Sequence, residues 1–151
     1  MPSAAEVTAM TGLEFIEAMR DGRMPAAPIA RLLNYRVHEI ADGRVSFRGE
    51  PSFDFYNPIG SVHGGWFGVL LDSAMGCAVQ TTLPKGVGYT TLEYKVNVVR
   101  PVFDTTGPVL AIAEVSHRGR RTAVAEGRLV GEADGKLYAT SSTTCLLLQA
   151  G

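Results

Sequence analysis

One acid stands alone in the most apolar stretch of this chain. Between Gly64 and Val79 the only charged side chain is Asp72. A surface helix carries a polar face, and this segment has almost none, so it is expected to be a helix buried nearly all round. An ionised carboxylate in such surroundings is costly unless it is paired or hydrogen-bonded. No basic residue lies within a turn of Asp72, and both helix ends are about two turns away. Two readings stand. Asp72 pairs with a distant cation such as Arg100, or it acts on a substrate, its pKa raised by burial among Leu70, Leu71 and Met75.

Gly64, Gly68, Asp72 and Gly76 recur every four residues and so line one stripe of the helix. Gly68 and Gly76 suit close packing on a sheet, and Asp72 shares that close-contact surface, where it can face a second subunit. At the start of the helix, His63 precedes Gly64 and Gly65. The first amides of a helix lack internal partners and sit at the positive end of its dipole. With no side chain at Gly64 to block approach, a carbonyl oxygen there would be polarised as in an oxyanion hole. The alternative is a glycine-rich helix start with solvated amides. Gly64 and Asp72 are separated by roughly 12 Å along a helix axis, beyond the reach of an Asp side chain. If both serve one carbonyl, they must come from two chains, as in a two-fold dimer with antiparallel helices.

The elements that must hold these residues are legible around them. Thr11 and Glu14 have capping-box spacing and open a helix over residues 11–22. Pro28 then starts a short helix over residues 29–34. Residues 35–40 and 45–48 read as strands joined at Asp42-Gly43. A loop over residues 51–61 carries Phe53, Phe55, Tyr56 and Asn57-Pro58, and the long helix spans about residues 63–82. In the next strand Leu92, Tyr94, Val96 and Val98 alternate with polar residues, predicting one buried face. Residues 109–116, 121–130 and 137–148 complete the strands. The fold class is α+β, one curved antiparallel sheet wrapped around one long helix. Residues 1–33 are expected to form a helical arm packed on a body of residues 34–151.

Composition narrows the function. The chain has 151 residues, 46% of them hydrophobic, and a net charge of -1. That suits one domain and opposes a nucleic-acid binder or a polybasic membrane anchor. The modest charged fraction, 19%, favours an oligomer with buried surface. Cys77 and Cys145 sit in apolar runs and read as buried free thiols, and no Cys/His set has metal spacing. No signal peptide or membrane span is expected, which points to the cytoplasm.

Asn57-Pro58-Ile59-Gly60-Ser61-Val62-His63-Gly64-Gly65, then Asp72, then Gly88-Tyr89-Thr90-Thr91-Leu92-Glu93-Tyr94 and Val99-Arg100-Pro101, closely resemble the hotdog-fold acyl-CoA thioesterases of the phenylacetate-degradation (PaaI) type. The resemblance covers about residues 34–149. It implies a homodimer, usually doubled to a tetramer, that hydrolyses an acyl-CoA to free acid and coenzyme A. No cofactor is implied, because coenzyme A belongs to the substrate. By this resemblance Asp72 is general base or nucleophile, and the Gly64 amide polarises the thioester. Asn57 holds water or thioester, and His63 orders the glycine loop and contacts the thioester region. Thr90 or its neighbour Thr91 stands near the lytic water. Gly65 completes the glycine loop. Tyr89 and the Phe53–Tyr56 segment are candidates for the acyl pocket, where bulk favours aromatic or medium-chain groups. Arg100, Arg118, Arg120 and Arg121 are candidates for the phosphates of coenzyme A. Each also has an ordinary reading as turn, core or solvated surface. His38 and His117 are read as surface residues. Two other functions compete: a hotdog enoyl-CoA hydratase or dehydratase using His63 and Asp72, and a non-catalytic acyl-CoA-binding domain.

Overall fold

The computed structural model describes residues 3–149. In chain order the elements are α1 (Ala4–Thr8), α2 (Gly12–Arg20), α3 (Pro28–Leu32), β1 (Tyr35–Ala41), β2 (Arg44–Gly49), α4 (Gly64–Thr81), β3 (Val87–Val98), β4 (Val109–Arg118), β5 (Thr122–Gly131) and β6 (Leu137–Gln149). The six strands form one antiparallel sheet in the order β1-β2-β4-β5-β6-β3. This is the hotdog arrangement, with α4 as the filling.

Small side chains let the sheet close on the helix. Ala111, Ala113, Ala123, Ala125 and Ala139 are fully buried and face Leu70, Leu71, Met75 and Val79 of α4 within one core. A Cβ on Gly127 would already meet Leu71 and Met75 at 3.2 Å. Burying each leucine of α4 contributes about 1.5–3 kcal/mol. The glycine stripe is explained in the same way. A Cβ at Gly76 would run into the Tyr89 ring, and one at Gly68 would press on Tyr94 at 3.2 Å. Two tyrosines of β3 therefore lie directly on α4, which fixes this strand against the helix.

The arm is tied to the body at both of its ends. The Thr11 capping box opens α2, and the Gly12 amide donates to the Leu83 carbonyl at 2.9 Å. Trp66 Nε1 donates to the Leu33 carbonyl at 2.9 Å.

Three expectations need correction. The second short helix stops at Leu32, and Asn34 turns to a positive φ of 54°. The strand expected from Leu92 begins five residues earlier, at Val87. Its apolar face is only partly buried within the chain: Val96 packs against the core, whereas Leu92, Tyr94 and Val98 are 58%, 45% and 50% exposed. Two features explain this. A bulge between Thr91 and Glu93 shifts the alternation, and β3 is an edge strand with one side unpaired. An additional helix, α1, is capped by a Ser3–Glu6 capping box.

Candidate active site

The apolar helix leaves Asp72 half-buried on the stripe with Ser73 and Cys77, where α4 runs between the two sheet edges. Thr91 Oγ1 donates to Asp72 Oδ1 at 3.0 Å. Oδ2 has no hydrogen-bond partner among the described residues, and Asp72 makes no ion pair there. The pairing with Arg100 is thus not formed. Arg100 lies beyond the other end of β3 and donates from Nε to the Leu137 carbonyl. Burial raises the Asp72 pKa above its ordinary value, and the Thr91 bond, which favours the charged form, opposes that rise.

Of the two neighbouring threonines, Thr91 reaches the carboxylate. Thr90 is exposed, as strand alternation requires of the next residue. Thr91 pairs with buried Cys145 on the helix-facing side, and Thr90 pairs with Leu146. Thr91→Val keeps shape and removes the donor. We expect it to lift the Asp72 pKa further, moving the acid limb of a kcat/KM–pH profile to higher pH. An unmoved limb would show that this bond has no influence on the titrating group.

The start of α4 is built differently. His63 is its N-cap, and its Nδ1 accepts from the Gly65 amide at 2.8 Å. This bond needs Nδ1 unprotonated, so the neutral ring carries its proton on Nε2. The Trp66 amide donates back to the His63 carbonyl at 2.9 Å. The Gly64 amide has no acceptor among the described residues, and a Cβ there would meet nothing within 4 Å. One helix amide is therefore left unused at an open, electropositive end. Asn57 stands beside it, and the two share a shallow hollow with Val98 and Arg100. Asn57 Oδ1 accepts from the Ile59 and Ser61 amides, and Nδ2 donates to Ser61 Oγ. Most of its side-chain capacity therefore shapes its own loop, leaving one N–H for other partners.

The predicted residues thus fall into two groups. Asp72, Thr91 and Tyr89 lie at one end of β3, and Asn57, His63, Gly64, Gly65 and Arg100 lie at the other. Arg118, Arg120 and Arg121 close the β4–β5 turn. The Arg121 carbonyl accepts from the Leu147 amide, and Leu147 pairs with Tyr89, so this cluster belongs to the Asp72 end. Within one chain it does not meet Arg100. Phe55 stacks on Trp66, Phe53 and Tyr56 meet at a tilt, and none of the four lines the cavity at Asp72. The cavity walls that sequence reasoning missed come from β1 and β2, with Tyr35, Val37 and Phe47, and from the arm, whose alanines carry no motif.

Cys77 and Cys145 are both free thiols. Burial pushes Cys77 up to about 12, so it is unreactive as a nucleophile. No group of three or more His, Cys, Asp or Glu side chains among the described residues is placed to hold a metal ion. No helix among them is long and apolar enough to cross a membrane.

The fold thus holds a half-buried acid without a salt link among the described residues at one place and an open helix amide at another. The sequence matches the Thioesterase superfamily over residues 59–138, and the chain belongs to that family. It is 39% identical to a Halobacterium salinarum protein named as a candidate esterase, over 68% of this chain and 69% of that one. Among solved structures, a candidate thioesterase of Ralstonia eutropha, described as related to phenylacetic acid degradation, matches with a TM-score of 0.79 and 29% identity. The match covers 87% of this chain and 98% of that one. A variant of the Thermus thermophilus phenylacetic acid degradation protein PaaI matches with a TM-score of 0.71 and 30% identity, over 80% and 98%. The Escherichia coli PaaI protein, at 21% identity and a TM-score of 0.78 over 91% and 97%, shares the fold. The chain is a thioester hydrolase of the PaaI type.

Proposed function

We propose that this enzyme hydrolyses acyl-CoA thioesters at two equivalent sites of a homodimer, each joining Asp72 of one subunit to the Gly64 amide of the partner subunit. The observation that carries this reading is the position of Gly68. It lies midway between Gly64 and Asp72 on α4, and it packs under Tyr94 in the middle of β3. A two-fold axis passing near Tyr94 would pair the open β3 edges. The same operation would carry the Gly64 end of one helix to the Asp72 level of the other, twice. Leu92, Tyr94 and Val98, exposed in the single chain, supply apolar surface for that contact. It also brings Arg100 of one subunit to the end of the partner subunit that carries the Arg118–Arg121 turn. This offers cations for the phosphates of coenzyme A.

In this site Asp72 Oδ2 takes a proton from water while Thr91 holds Oδ1. The water oxygen attacks the thioester carbon, and the carbonyl oxygen gathers negative charge against the Gly64 amide. Collapse breaks the C–S bond. The acid departs, and the coenzyme A thiolate takes up the proton. A thioester is electrophilic enough for one base and one amide donor, so no Ser-His-Asp relay is required. His63 is committed to the Gly65 amide and positions the loop, which disfavours the hydratase reading.

The test is release of free thiol from acetyl-, octanoyl- and phenylacetyl-CoA by purified enzyme, followed alongside oligomeric state. Turnover by a dimer or larger assembly supports the proposal. Saturable binding without turnover, or full activity in a monomer, would refute it. Single-turnover hydrolysis in 18O-labelled water checks the base role. Label appears in the first product acid and not in the enzyme if water attacks the thioester, whereas attack by Asp72 followed by water at the Asp72 carbonyl of the mixed anhydride puts the label in Asp72 instead.

A further inference from the structure

We infer that the N-terminal arm forms the far wall of the acyl pocket and that Ala27 and Ala30 set the size of acyl group accepted. This rests on the thioesterase reading above and assigns the arm a role in it. The sheet leaves a gap over α4 between its edges β1 and β3, and Asp72, Ser73 and Cys77 lie along that gap. The arm roofs it. A cavity of about 310 Å³ lies beneath, lined by Ala27 and Ala30 from the arm, Val37 from β1, Asp72 and Cys77 from α4, and Tyr89 from β3. The Asp72 carboxylate is therefore a wall residue of a mainly apolar chamber, whose ceiling over Ala27 and Ala30 is low in bulk and whose side is closed by Met19.

Asp72 Oδ2 is left open, while the Tyr35, Ser73, Arg20 and Arg36 side chains around this chamber have partners within the chain. Tyr35 Oη lies 3.1 Å from Ser73 Oγ, Arg20 Nε bonds Asp21 at 2.9 Å, and Arg36 faces Glu50 at 3.5 Å. The two lining cations, Arg20 and Arg36, each face a carboxylate and the rest of the lining is mainly apolar, so an uncharged acyl group fits it best. At liquid packing it holds on the order of ten non-hydrogen atoms. That suits an arylacetyl or medium-chain acyl group. Ala30 is buried, whereas Ala27 is exposed at the helix cap of α3 and has an extended backbone that any residue adopts. Larger side chains at either position would lower the ceiling.

Ala30→Phe and Ala27→Trp are expected to reduce the kcat/KM ratio of octanoyl-CoA to acetyl-CoA at least tenfold, and Met19→Ala to raise it. Ala27→Trp alters an exposed position and keeps the test alive if Ala30→Phe fails to fold. Each variant is also combined with Asp72→Asn, and the Kd ratio of the same two thioesters is measured by calorimetry. Wild-type ratios in both measurements for folded Ala27→Trp and Met19→Ala would overturn the proposal, as would failure to bind either thioester. Size-dependent binding without any hydrolysis would sustain the pocket and refute the hydrolytic reading instead.

Discussion

Asp72→Asn is expected to lower kcat by about 10²–10⁴-fold, the usual contribution of a positioned general base. The amide keeps Oδ1 as an acceptor for Thr91, so the local hydrogen bond survives while the base is lost. Stability should move the other way. The folded pKa of Asp72 is raised by burial, so at neutral pH the native state holds a charge that the unfolded chain solvates better. Folding stability from this group is fully present below the ordinary Asp pKa and declines as pH rises through the folded value. Asp72→Asn removes that decline. Its Tm should equal or exceed that of wild type at neutral pH, and the gap should close below about pH 4. Paired kinetics and melting curves at two pH values check both parts. A variant that is inactive because it is unfolded would contradict the catalytic assignment.

The second large effect concerns a backbone atom. Gly64→Pro deletes one amide hydrogen at the first position of α4, where proline is well tolerated. His63, the preceding residue, has φ -62° and ψ 137°, the extended geometry that proline requires of its neighbour. Nothing lies within 4 Å of a Cβ at this site. We expect kcat to fall by about 10²–10³-fold, the effect of removing one oxyanion donor, with little change in Tm. Gly64→Ala keeps the amide and separates loss of the donor from added bulk. Full activity in Gly64→Pro would remove this amide from the mechanism.

Features fixed by neighbouring residues were legible in the sequence. The Thr11–Glu14 capping box, the Asp42-Gly43 turn and the apolar helix with its lone acid all appear where their local chemistry requires. The Ser3–Glu6 pair carried the same signal for α1. The misreadings lie where distant parts decide. The alternation that marks β3 starts only at Leu92, yet Val87 and Gly88 pair with Gln149 and Leu148 of β6, and only that long-range partner makes them strand. The bulge after Thr91 is a property of the pairing, and it decides which threonine meets Asp72. Exposure of Leu92 follows from its place at the sheet edge. Gly68 and Gly76 were readable as close-contact positions, but the tyrosines that fill them come from β3. The cavity beneath the arm was invisible because alanines distribute no pattern.

The shared site is tested most directly by mixing two disabled enzymes. Asp72→Asn and Gly64→Pro are each purified and then combined under conditions that exchange subunits. In the mixed dimer one site inherits both defects, and the other is built from wild-type Asp72 and wild-type Gly64. Random exchange at equal amounts should restore about one quarter of wild-type activity, since half the dimers are mixed and each has one intact site. If Asp72 and Gly64 act within a single chain, every site in the mixture remains disabled. Activity staying at the level of the separate variants, with exchange verified by mass spectrometry, would contradict a site made from two subunits.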